Sequence, residues 1–145
     1  MNVSKPVSVL LIEDNPGDID LTLEAFENST IKCNVTVFKD GLAAREYLYK
    51  EKNYSQSETP DIILLDLNLP GKNGHELLND IKSNEEIKKI PVVILTSSSA
   101  ERDIIKSYNL QANCYIIKPV TFDKFLEVVR SIENFWFSTA KLPSQ

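Results

Sequence analysis

Five residues able to do chemistry stand directly after apolar segments: Glu13 and Asp14 after 7–12, Asp66 after 62–65, Thr96 after 92–95, and Lys118 after 115–117. The three acids are hard oxygen donors with neither His nor Cys beside them. Three carboxylates drawn together around one ammonium would repel one another unless a cation or strong pairing intervened. Such donors suit Mg²⁺, which takes a few carboxylates, keeps waters and accepts phosphate oxygens. Phosphate is then the substrate group that the pattern favours.

Each residue also has a plainer reading. An acid after an apolar strand caps the next turn, and Glu13-Asp14 could be a solvated pair ahead of a helix, favoured by its dipole. Thr96 could belong to a capping run over 96–99. Lys118 is harder to set aside, because a Lys directly after a buried strand must snorkel or find an acid. The weight lies in the five together.

They need elements to position them. Segments 7–12, 62–65, 92–95 and 115–117 are apolar and largely β-branched, and read as strands buried on both faces. A weaker segment, 35–38, precedes the turn signal Asp40-Gly41 and reads as an edge strand. Helical spacing fills the intervals. The first helix has Asn15 as N-cap, Pro16 at the first helical position, and Ile19, Thr22, Leu23 and Phe26 on one face. Others span 42–49, 74–82, 100–108 and 121–137. This alternation implies an α/β fold with a parallel sheet covered by helices, whose ligands sit beyond the strands' carboxyl ends. All five residues occupy such ends.

The chain has 145 residues, 42% hydrophobic and 26% charged, enough for one domain over 1–145 with its core at about 7–137 and a frayed tail at 138–145. Residues 50–60 read as a surface loop. A net charge of −5 disfavours nucleic acid and anionic membranes. No apolar run is long enough to span a bilayer, so a cytoplasmic protein is expected. Cys33 and Cys114 form no metal or redox motif and read as small packed hydrophobes.

The segments LLIEDNPGD, DIILLDLNLPGKNG, PVVILTSS and CYIIKPV resemble those of response-regulator receiver domains of two-component signalling. The resemblance covers nearly the whole chain. It implies a flavodoxin-like, doubly wound sheet of five parallel strands in the order 2-1-3-4-5, flanked by five helices. It further implies that Asp66 accepts a phosphoryl group from a sensor histidine kinase. Asp14, Asp66 and the backbone carbonyl of Asn68 would hold Mg²⁺, with Glu13 assisting through water and Lys118 pairing with phosphoryl oxygens. Thr96 would bond the new phosphoryl group and Tyr115 would turn inward, changing the face formed by the fourth helix, fifth strand and fifth helix. The bond before Pro119 is typically cis in the family. More narrowly, EDNPGDIDLT, SYNLQANCYIIKPV and the run 132–136 resemble the small regulators paired with phytochrome-type kinases.

On a wheel of the last helix, Phe122, Phe125, Leu126, Val129 and Trp136 share one face, whereas Val128 and Phe135 fall elsewhere with Ile132 between. Either a homodimer or kinase-docking surface, or a wider core contact, accounts for that spread. The single histidine, His75, reads as solvated. Two competing functions remain: an aspartate-nucleophile phosphatase, disfavoured because the position two after Asp66 is Asn68 and not an acid, and a receiver-like interaction module that is never phosphorylated.

Overall fold

The computed structural model describes residues 6–97, 99–118 and 121–134, with the side chains of 132 and 133 outside that description. Pro119, Phe135, Trp136, the side chain of Ile132 and the tail from 138 therefore lie outside the described residues.

Strands and helices alternate along the chain: β1 (Val7–Ile12), α1 (Pro16–Glu27), β2 (Cys33–Phe38), α2 (Gly41–Leu48), β3 (Ile62–Leu65), α3 (Gly74–Ser83), β4 (Val92–Thr96), α4 (Glu101–Asn109), β5 (Cys114–Ile117) and α5 (Phe122–Asn134). All pairings are parallel and the sheet order is β2-β1-β3-β4-β5, as the resemblance implies. Period-two alternation distributes the core over both faces. Leu10, Ile12, Ile63, Leu65 and Ile94 meet α2 and α3 through Leu48, Leu77, Leu78 and Ile81. Val9, Leu11, Leu64, Val93 and Leu95 meet α1 and α5 through Ile19, Phe26, Phe125 and Val129. Each side chain so removed from water contributes roughly 1.5–3 kcal/mol, which is why these strands carry almost no polar residue before their last position.

Local chemistry explains the helix starts. Asn15 caps α1 by accepting from the Asp18 N–H, and Pro16 follows it. Asn73 and Glu76 form a reciprocal capping box on α3. At α4 the cap position is Ala100, without a side-chain bond, and Thr96 ends β4 rather than standing at that cap position. Ala25 completes the buried face of α1, while Leu23 is only half-buried.

Three expectations need correction. β5 is not buried on both faces: among the described residues no strand lies beyond it, and Cys114 and Ile117 are exposed. A short apolar run does not distinguish an edge strand from a central one. Cys114 is accordingly not a packed hydrophobe, and Cys33 is only half-buried. Segment 50–60 is more than a loop, since it contains a 3₁₀ turn (Lys52–Tyr54) whose Tyr54 ring packs 5.4 Å from Tyr47 and 5.7 Å from Phe38.

The loop after β3 matters most for the site, and two glycines hold it close. A Cβ at Gly41 would lie 1.8 Å from the Lys72 carbonyl oxygen, and one at Gly74 would lie 2.4 Å from Leu67 Cα and 2.6 Å from the Asp66 carbonyl oxygen. Backbone contact at these distances admits only glycine. The start of α3 is thereby pressed against Asp66 and Leu67, the two residues that follow β3.

Candidate functional site

Parallel pairing carries the ends of β1, β3, β4 and β5 to one edge, where most of the five residues meet. Glu13, Asp14 and Asp66 offer oxygens within 4.8 Å of one another. The Lys118 ammonium donates to Glu13 Oε1 at 2.7 Å, to Asp18 Oδ2 at 2.8 Å and to Asp66 Oδ2 at 3.3 Å. Its backbone N–H donates to the Thr96 carbonyl at 2.8 Å, which ties the lysine to the end of β4. Asp66 Oδ1 accepts the Asn68 N–H at 3.1 Å, so the plain turn-capping role is also present.

Burial differs sharply among these groups. The side chains of Glu13 and Asp66 are 1% and 8% exposed, against 32% for Asp18, and Asp14 lies open to solvent. Burial pushes the Glu13 carboxyl up, the Lys118 ammonium pulls it down and the neighbouring Asp66 carboxylate pushes it up again, which together leave it raised to about 7. Burial would lower the Lys118 ammonium, yet its bonds to Asp18 and Glu13 hold it above the ordinary lysine range. The lysine is shared among three acids and stays charged, whereas a single ammonium contact does not offset the desolvation of Glu13. Negative charge is in excess here. A hard divalent cation beside Asp14 would relieve it, and the all-oxygen donor set fits one.

A recess of about 350 Å³ opens above Asp66, lined by Asp14, Asn15, Asp18, Asn68, Ser97 and Lys118. A larger one, about 640 Å³, lies between α3 and α4, but it lacks the acid triad and the lysine. Thr96 is fully buried at the end of β4. Tyr115 pairs with Ile94 and packs, half-buried, with the cluster that contains Ile94. Thr96 stands two residues after Ile94, so both project from the same face of the sheet. Tyr115 is not part of the recess lining.

Residues 9–130 match the response regulator receiver domain family. The chain is a response-regulator receiver. It is 44% identical over 139 residues to the response regulator Rcp1 of Synechocystis sp., covering 96% of this chain and 95% of that protein. Among solved structures, the phosphorylated cyanobacterial phytochrome response regulator RcpA aligns with a TM-score of 0.87 at 47% identity, over 96% of this chain and 99% of that one. The Mn²⁺-bound form of Rcp1 aligns at 0.85 and 44%, over 95% and 99%. The receiver is thus related to phytochrome response regulators, as its narrower sequence resemblance implied. No helix among the described residues is long and apolar enough to cross a membrane.

Two residues escaped the sequence reading. Asp18 is the third residue of α1, in the first turn after the Asn15 cap, and an acid at that helix start so soon after Glu13-Asp14 is the signal that could have found it. His75 is not solvated: it is half-buried, with Nε2 3.1 Å from Ser107 Oγ and 3.4 Å from the Asp103 carbonyl. It joins α3 to α4, lines the larger recess between them and takes no part in the one above Asp66. Of the residues assigned to an interface, Val128 is half-buried against the α1–α5 core cluster, which favours the wider core contact for that position. Among the described residues the large apolar side chains that stand exposed are Leu42 on α2, Ile105 and Tyr108 on α4, and Ile117 on β5.

Proposed function

We propose that this receiver is a cytoplasmic phospho-acceptor switch in which Asp66 takes a phosphoryl group from a sensor histidine kinase of the phytochrome type. The observation that carries this reading is the convergence of Lys118, Asp14 and Asp66 on an open recess, with the buried Glu13 in contact with Lys118. In the transfer, a carboxylate oxygen of Asp66 attacks phosphorus while the phosphorus–nitrogen bond of the donor phosphohistidine breaks. Lys118 pairs with the phosphoryl oxygens. Asp14, Asp66 and the Asn68 carbonyl, with Glu13 acting through water, would hold Mg²⁺, whose role is to neutralise charge on the transferring group. Thr96 bonds the arriving group, and Tyr115, on the same face of the sheet, adjusts its packing, so that the phosphoryl group favours one arrangement of α4 and β5.

The test is acetyl phosphate with Mg²⁺ followed by intact-mass measurement, with a single phosphoryl adduct expected. A chain that takes up no phosphoryl group from any donor would be an inert module instead. The phosphatase alternative finds no support, since the amide of Asn68 cannot protonate a leaving group.

The output surface follows from α4 and β5. Among the described residues of α4 only Ser107 is buried, while Ile105, Tyr108 and Ile117 expose apolar surface beside an edge strand. A second copy of the chain is the occupant that this face favours, with phosphorylation tightening the pairing. Sedimentation should show dimer formation on adding Mg²⁺ and beryllofluoride, lost in Ile105→Glu. A monomer in every sample would rule the dimer out.

A further inference from the structure

An ammonium has three N–H donors, and in Lys118 all three face carboxylates, those of Glu13, Asp18 and Asp66. The lysine is displaced toward α1, lying 2.8 Å from Asp18 but 3.3 Å from Asp66. A phosphoryl group on Asp66 takes over the long Asp66 contact, and for the lysine to close on that group one of the two shorter contacts, to Glu13 or Asp18, has to be released. Separating Glu13 would strand a carboxylate that is 1% exposed, whereas Asp18, 32% exposed, can be rehydrated at once. The Asp18 contact is therefore the one that yields. Its carboxylate also lines the recess through which an anionic donor must approach.

We propose that Asp18 is a positioning residue that tethers Lys118 away from the phosphoryl site until an incoming phosphoryl group displaces it. This rests on the acceptor reading of Asp66 and adds to it a brake that the five-residue site lacks. Asp18 raises the threshold for phosphorylation in two ways, by occupying a lysine donor and by repelling the arriving anion. Its own helix does not depend on its charge: the backbone N–H of Asp18 bonds Asn15, and its carbonyl accepts the Thr22 hydroxyl at 2.7 Å.

The experiment is calorimetric titration of beryllofluoride into the Mg²⁺-saturated chain, for wild type, Asp18→Asn and Asp18→Glu, with thermal melts to verify folding. Asp18→Asn should bind about fivefold to tenfold tighter, as expected from removing a charge several ångströms from the anion. Asp18→Glu, which restores the charge, should return to within about twofold of wild type by the same argument. Should Asp18→Asn unfold, Asp18→Ser serves in its place with the same expectation. Equal or weaker binding by the neutral variant overturns the tether, as does an Asp18→Glu affinity matching that of Asp18→Asn. A wild-type chain that binds beryllofluoride while the variants do not differ defeats the tether alone. A wild-type chain that binds none defeats the acceptor reading with it.

Discussion

Asp66→Asn is expected to abolish phosphoryl uptake from acetyl phosphate, by more than about 10³-fold, because an amide oxygen is no substitute for the attacking carboxylate. The same change should make the metal-free protein more stable. Asp66 lies beside Glu13 and pushes its carboxyl up, so a formal charge is being held against its neighbour. Removing it costs the longest of the three lysine contacts, 3.3 Å, and leaves the 2.7 and 2.8 Å contacts to Glu13 and Asp18. A gain of about 1 kcal/mol is expected, in line with the stability that functional sites give up. Urea unfolding at pH 8 in chelator is the measurement, and a less stable variant would show that Asp66 is not in electrostatic conflict with Glu13.

Lys118→Met should act in the opposite sense on stability while also impairing transfer. Losing a preorganised cation at the phosphoryl oxygens lowers the rate by about 10²–10³. It also leaves Glu13 buried with no opposite charge in contact, a loss of about 3 kcal/mol. The sign of the pH dependence follows from the raised Glu13 carboxyl. A carboxyl whose folded value is about 7 and ordinary value 4.5 favours the folded state when protonated. Its penalty is absent below about 4.5 and fully present above about 7. Metal-free wild type should therefore gain stability from this group as pH falls from 7 toward 4.5, and the deficit of Lys118→Met should be largest at pH 8 and shrink by pH 5.5. A deficit independent of pH would assign the loss to packing of the lysine stem rather than to the unpaired carboxylate.

Much of this was legible in the sequence because burial and chemistry use different residue types. The apolar strands 7–12, 62–65 and 92–95 end abruptly in Glu13, Asp66 and Thr96, and that change of type marks both the strand end and the site. Asn15-Pro16 marked the start of α1 in the same way. What was missed shares a different cause. β5 and Cys114 look buried by composition, but exposure at an edge depends on whether a further strand pairs there, which local residue types do not encode. Asp18 belongs to the site through a lysine a hundred positions away, and His75, outside the site, is half-buried against a serine thirty-two positions on. Contacts of such separation leave no local pattern. Val128 fell off the helical stripe yet packs against the core, because α5 meets both the sheet and α1 and buries a wider arc than one contact needs.

The most direct measurement of the central claim is the position of the phosphoryl group itself. After reaction with acetyl phosphate and Mg²⁺, borohydride reduction of the acyl phosphate and peptide mass mapping should mark Asp66 in the wild-type chain and no other residue. Label on Asp14 or Asp18, or none on Asp66 in a chain that does bind Mg²⁺, would contradict it.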